Sequence, residues 1–297
     1  MRRLTANDFD PEVMRLFDHY VHGRIDRRRF LEGASRFATK GMTAAMLLEA
    51  LNPKFALAQQ VKPGDPRLTT RYVEIDSPSG YGKVRGYLAK PKDAPARLPA
   101  ILVVHENRGL NPHIEDVTRR LALESFVAFA PDALFPLGGY PGDEDTARAA
   151  FAKLDQSRTR EDFVAAAEWL RVQHDVNGRV GVVGFCYGGA MANLLAVRLA
   201  WLAAAVAFYA GSQPSPSDAA KIKAAVMIHN AETDEWVNAG AKAYERALKA
   251  AGVRHEAFAY PGTHHGFHND TTPRYNETAA KLAWQRTVSF FNRNLRG

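Results

Sequence analysis

The chain has 297 residues, 46% of them hydrophobic and 24% charged, enough apolar material for a large packed core. Its formal net charge is +7, but residues 1–62 carry eleven Lys/Arg against seven Asp/Glu, which leaves +3 for the other 235 residues. That excess is too dilute for a nucleic-acid binder, and no basic stripe is interleaved with aromatics. One cysteine rules out an internal disulfide, and no apolar run approaches the roughly 18–20 residues of a membrane span.

In chain order, Phe9 to Tyr20 reads as a short amphipathic helix. Asp26-Arg27-Arg28-Arg29-Phe30-Leu31 then resembles a twin-arginine export signal, with the apolar stretch Gly41 to Leu51 behind it. Ala56-Leu57-Ala58 before Gln59 resembles an A-x-A cleavage site. Glu32, Arg36, Lys40 and Glu49 interrupt that signal pattern, and a second reading stands beside it. Phe30, Ala34, Phe37, Gly41, Ala45 and Leu48 recur at spacings of three and four, which makes the apolar face of a structural helix. The first reading places the protein in the periplasm and the second in the cytoplasm. The turn-rich run Lys62-Pro63-Gly64-Asp65-Pro66 divides an N-terminal extension, residues 1–62, from a compact domain, residues 63–297.

Arg71–Asp76 and Lys83–Ala89 read as two strands of a hairpin around Ser77-Pro78-Ser79-Gly80. The pattern then alternates. Strands are expected at Ala100–Val104, Phe126–Ala130, Val180–Val183, Ala204–Tyr209, Ala225–His229 and His255–Tyr260. Helices are expected at Ile114–Leu123, Arg160–Val172, after Cys186, at Ala239–Ala251 and at Glu277–Asn292, with a Gly/Pro-rich pocket-shaping loop over 134–143. Eight strands of this kind predict an α/β fold: a mostly parallel eight-stranded sheet with helices on both faces. Ligands of such sheets bind outside the carboxyl ends of the strands.

Candidate chemistry falls at those ends. Gly184-Phe185-Cys186-Tyr187-Gly188-Gly189 joins the apolar run Val180–Val183 to a small-residue helix. In such an elbow the nucleophile stands proud of the sheet, and the residues two before and two after it must be tiny. Gly184 and Gly188 fill those places, while the helix N-terminus favours thiolate and a developing oxyanion. Asn230-Ala231-Glu232-Thr233-Asp234-Glu235 follows one strand, and Pro261-Gly262-Thr263-His264-His265-Gly266-Phe267 follows the next. Nucleophile, acid and histidine therefore occur in the order of an α/β-hydrolase triad: Cys186, Asp234, His265. His105-Glu106-Asn107-Arg108-Gly109-Leu110, after the Ala100–Val104 strand, sits where a second oxyanion donor belongs, so the N–H groups of Tyr187 and Asn107 are the expected hole. Taken singly, Cys186 could be an inert core thiol, Asp234 a helix cap and His265 a loop histidine.

The elbow, the later Asp and His-Gly-Phe, the stretch Val104 to Pro112, and Ala130-Pro131-Asp132 resemble the dienelactone hydrolase family from about residue 70 to the C-terminus. The resemblance implies that Cys186, Asp234 and His265 are the triad and that Asn107 and Tyr187 supply the oxyanion amides. It implies that Glu106 holds the thiol and deprotonates it on substrate binding. Chlorocatechol-pathway members of the family carry an arginine four residues after the catalytic histidine, where this chain has Asn269. Arg108, Arg148 and Arg274 remain as candidates for an anionic substrate group, with Arg274 otherwise a solvated loop cation.

The sequence thus predicts a hydrolase that cleaves a small-molecule ester or lactone through a cysteine thioester. No metal or organic cofactor is expected, because the histidines lack the spacing of a metal site. Nucleic acid and membrane span are not expected either. A general carboxylesterase or thioesterase with the same triad is the first alternative, and a non-catalytic reactive-thiol sensor or binding protein is the second.

Overall fold

The computed structural model describes residues 3–38, 42–94 and 97–296. Four helices open the chain: α1 (Pro11–Val21), α2 (Arg27–Ala34), α3 (Ala44–Leu51) and α4 (Phe55–Ala58). Side chains start the first three, with Asp10 accepting from Glu12 N, Asp26 from Arg29 N and Thr43 from Met46 N. Phe9, Val13, Met14, Phe17, Tyr20, Phe30, Leu48 and Leu51 make a hydrophobic cluster of their own.

The single apolar face expected over residues 30–48 is broken in two. α2 stops at Ala34, a 3-10 turn spans Ser35–Phe37, and Ala38 is extended. Gly33 and Ser35 are weak helix formers, and the Ser35 hydroxyl donates to the Glu32 carbonyl at 2.7 Å. Lys40 and Gly41 lie outside the described residues, and Ala45 is exposed whereas Leu48 is buried. Within the arginine run, Phe30 is fully buried, Arg27 pairs with Asp145 at 3.0 Å and Arg28 pairs with Glu32 at 2.9 Å.

The sheet has eight strands: β1 (Leu68–Ser77), β2 (Gly82–Pro91), β3 (Leu98–Val104), β4 (Val127–Pro131), β5 (Val176–Phe185), β6 (Ala204–Phe208), β7 (Ala225–Ala231) and β8 (His255–Tyr260). Their spatial order is β1-β2-β4-β3-β5-β6-β7-β8. β1 pairs antiparallel with β2 and β2 antiparallel with β4, and the other pairings are parallel. The remaining helices are α5 (Pro112–Leu123), α6 (Glu144–Phe151), α7 (Gln156–Arg171), α8 (Tyr187–Arg198), α9 (Pro216–Ala219), α10 (Glu235–Ala250) and α11 (Glu277–Leu295).

Alternation along β3 builds a core on both faces. Ile101 and Val103 join Ile114 and Val117 of α5 and Phe291 of α11. Leu102 and Val104 join Phe163 and Leu170 of α7 and Leu195 of α8. α6 was not expected from the pattern; Asp143 starts it by accepting from Thr146 N. No helix among the described residues is long and apolar enough to cross a membrane.

Candidate active site

Cys186 ends the strand–turn–helix elbow between β5 and α8, with φ 55° and ψ −111°. A non-glycine residue there is strained and persists only where its surroundings over-determine it. The two glycines show how. A Cβ on Gly184 would lie 1.8 Å from the Gly188 carbonyl oxygen, and one on Gly188 would lie 2.2 Å from the Val104 carbonyl oxygen. Only glycine lets helix and strand approach this closely. Cys186 N donates to Phe208 O at 3.0 Å, which ties the elbow to β6. Tyr187 is the first residue of α8, so its N–H has no intrahelical partner and points to the thiol end of the helix.

Asp234 follows β7 and does two jobs. One carboxylate oxygen accepts from Val237 N at 3.3 Å and starts α10, while the other lies 2.5 Å from His265 Nδ1. The helix cap is present, and the same carboxylate holds the His265 ring. His265, buried after β8, turns its Nε2 toward the thiol side. Burial acts to lower the His265 pKa, but the Cys186 thiolate and Asp234 outweigh it and carry it up to about 10. Burial likewise acts against the Cys186 thiolate, but the facing imidazoles of His265 and His22 bring that thiol down to about 6. The arrangement favours a thiolate–imidazolium pair, the reactive form of a cysteine nucleophile.

His22 is the residue at this site that the sequence did not point to. It caps the C-terminal end of α1. Its Nε2 lies 3.2 Å from His265 Nε2 and 3.9 Å from Cys186 Sγ, and its ring meets that of His265 edge-on at 4.3 Å. Its Nδ1 is 2.8 Å from the Asp18 carbonyl oxygen and 3.3 Å from the Asp18 carboxylate. The one available signal was the i, i+4 Asp18–His22 pair running into Gly23, which has φ 73°.

The other expected residues gather around the same thiol with altered partners. Glu106 and Cys186 line one cavity, yet the Glu106 carboxylate accepts from Asn269 Nδ2 at 3.3 Å, and Sγ is hydrogen-bonded by the imidazoles of His22 and His265. Asn107 donates from Nδ2 to Val21 O at 3.0 Å. Arg108 is buried and turns to Glu144 at 3.3 Å and to the Asn107 side chain, so it anchors the first helices rather than facing a free pocket. Arg148 donates to Tyr20 O and stacks on the Tyr20 ring at 3.9 Å. Arg274 is not a solvated loop cation. It is buried, its guanidinium sits 5.2 Å from the Phe17 ring, and its Nε and Nη1 have no hydrogen-bond partner among the described residues.

Two spaces flank Cys186. On the side of Glu106, Arg274 and Asn269, Phe17, Tyr20 and Val21 fill the cavity to about 30 Å³, room for one or two water molecules. On the other side a cleft of about 480 Å³ opens between Phe151, Tyr187 and Trp236, with Arg24 and Arg148 at its edge. Its wall comes from α6 rather than from the 134–143 loop that the sequence had suggested.

Comparison with known proteins identifies the family. The dienelactone hydrolase family model matches residues 84–295, and a YqhI-like model matches residues 1–39. A protein of Escherichia coli strain K12 that bears the name of a hydrolase fragment, YghX, is 50% identical over 114 residues, 38% of this chain and 97% of its own. A Salmonella typhi protein named as a carboxymethylenebutenolidase is 32% identical over 228 residues, 72% of this chain and 84% of its own. A solved Klebsiella pneumoniae structure named as a dienelactone hydrolase superposes with a TM-score of 0.65 at 29% identity, covering 75% of this chain and 98% of that one. With an elbow thiol, a strand-end carboxylate–imidazole pair and a family match over most of its length, the chain belongs to the dienelactone hydrolase family of ester- and lactone-cleaving α/β-hydrolases.

Proposed function

We propose that this protein hydrolyses its ester or lactone through a Cys186–His265–Asp234 triad. The Cys186 thiolate attacks the carbonyl carbon, and the N–H groups of Tyr187 and Asn107 stabilise the oxyanion. His265, held by Asp234, gives its proton to the leaving alcohol. Water then attacks the thioester with His265 as general base, and the acid leaves with Cys186 restored. The observation that carries this reading is the 2.5 Å contact between Asp234 and His265 Nδ1, opposite a thiol held in a strained elbow. Glu106 Oε2 is held by Asn269, and its part in thiol activation is assigned to a state with the substrate bound. A second reading has one observation in its favour: His22 Nε2 also lies within hydrogen-bond reach of Sγ, at 3.9 Å, which makes His22 a rival general base.

The cleft supports substrates with an apolar or aromatic group. Arg24, stacked on Trp236 at 5.0 Å, and Arg148 give its edge a positive charge that suits an anionic substituent. A panel of p-nitrophenyl esters and lactones, run against Cys186→Ala, tests the reading. Turnover lost in the variant supports it, and turnover retained overturns it.

We also read residues 1–62 as a lid on the 63–297 domain rather than as an export signal. Supporting this are the Tyr20 hydroxyl on Asp145, Lys54 N donating to Thr271 O at 2.7 Å, and the contact of His22 with the site. Intact mass of protein purified from its native host checks it. An N-terminus at Gln59 would overturn the lid, and retention of residues 11–58 would support it.

A further inference from the structure

Cys186 Sγ and one ring nitrogen each of His22 and His265 lie within 4.8 Å of one another. His265 directs its Nδ1 at Asp234 and His22 directs its Nδ1 at Asp18, so each ring turns its Nε2 inward. Two Nε2 atoms 3.2 Å apart share one proton in a hydrogen bond, and a metal ion can take the place of that proton. We propose that the three groups form a binding site for a soft divalent cation, Zn²⁺ above all, and that the bound ion shuts off the hydrolase.

The dimensions fit. Zn–N bonds of about 2.0–2.1 Å and Zn–S bonds of about 2.3 Å put tetrahedral ligands about 3.3 Å apart for N···N and about 3.6 Å for N···S. The structure has 3.2 Å between the two Nε2 atoms and 3.9 Å from His22 Nε2 to Sγ. The outer shell fits too, because a carboxylate holding the far nitrogen of each ligating histidine fixes its tautomer and raises its basicity. Thiolate with two imidazoles selects Zn²⁺ or copper over Mg²⁺ or Ca²⁺. The fourth position faces the cleft of about 480 Å³, which His22 and Cys186 both line, so water or an incoming carboxylate completes the tetrahedron. On binding, metal–sulfur and metal–nitrogen bonds form as the proton that the Cys186–His265 pair holds on the imidazole leaves to solvent. The lone pairs taken by the ion are the ones needed to attack the ester and to move its proton, so metal and substrate exclude each other. The site exists only because α1 reaches the thiol. A chain of this family without that segment lacks the third ligand.

The proposal extends the hydrolase reading by naming what regulates the same thiol, and its test has a separate readout. Metal-free wild-type protein is titrated with Co²⁺ as the probe, and Zn²⁺ is then added to displace it. The expected result is a thiolate-to-cobalt charge-transfer band that saturates at one ion per chain and disappears with Zn²⁺, while p-nitrophenyl ester turnover falls in parallel and returns with EDTA. His22→Gln should bind Co²⁺ at least about tenfold more weakly, with Cys186 still open to iodoacetamide and a cooperative melt. If that variant does not fold, Asp18→Asn replaces it, with an expected weakening of about 10- to 100-fold. Absence of the band in wild type, or equal affinity in the folded variant, overturns the site. An enzyme that turns over esters without the band loses this proposal and keeps its triad. A band in a protein without turnover does the reverse.

Discussion

Two histidines reach Cys186 from opposite parts of the chain, and the difference between them separates chemistry from access. His265 hangs from the end of β8, fully packed, with Asp234 at the end of β7 fixing its ring. The sheet itself sets their distance. His22 hangs from the end of α1, whose apolar residues pack in a cluster separate from both faces of the sheet. It reaches the thiol through the seating of that cluster: Tyr20 on Asp145, Val21 O on Asn107, Phe17 under Arg274. The same device, an imidazole with an aspartate at Nδ1, is thus set by the sheet in one region and by the docking of the first helices in the other.

The widest gap between the two regions is expected in catalysis. Asp234→Asn should lower kcat about 10⁴-fold by freeing the wrong tautomer of His265. Asp18→Asn should cost at least about a hundredfold less. Steady-state rates on one p-nitrophenyl ester check both, and the reverse ranking would make His22 the general base. Next comes stability. Phe30 is fully buried among Phe17 and Tyr20, with ring centroids 6.3 and 5.6 Å away. Phe30→Ala should cost about 3–5 kcal/mol, seen as one shifted denaturant transition if lid and sheet unfold together. Two separate transitions would show that the lid comes off alone.

A smaller effect belongs to the sheet. Burial and then Arg286 hold His229 down at about 3, against an ordinary value of 6.5. The unfolded chain therefore binds the proton first, and the stability tied to neutral His229 is complete above about pH 6.5 and drains away as pH falls toward 3. At pH 5 the loss is on the order of 2 kcal/mol. Melts of the full chain should shift downward between pH 7 and pH 5, by less in His229→Gln; equal shifts would assign the acid sensitivity elsewhere. The smallest effect concerns Glu106. Glu106→Gln should slow alkylation of Cys186 by a few-fold at fixed pH, and an unchanged rate removes Glu106 from thiol activation.

What could be read from the chain follows the same division. The strands carried continuous apolar runs bounded by turns, and Cys186, Asp234 and His265 each came directly after one, so order and spacing were enough to bring them together. Gly184 and Gly188 were legible because no other residue tolerates that approach. α6 was not, since Glu144-Asp145-Thr146-Ala147-Arg148 has no apolar period and its start rests on the Asp143 cap. His22 was not, because Asp18 and His22 one turn apart look like any solvated pair on a helix, and the His22–Cys186 contact spans 164 residues. Arg274 reads as a surface cation until Phe17 lies on it. Contacts made by the first helices depend on where those helices dock, and nothing local in their sequence records that.

The central claim is that Cys186 carries the acyl group. Its most direct test is a rapid acid quench of the metal-free enzyme during turnover of a p-nitrophenyl ester, followed by intact mass and peptide mapping. The account predicts one acyl increment per chain, located on the Cys186 peptide and absent from Cys186→Ala, which no longer turns the ester over. An adduct on another residue, or full turnover in Cys186→Ala, would contradict it.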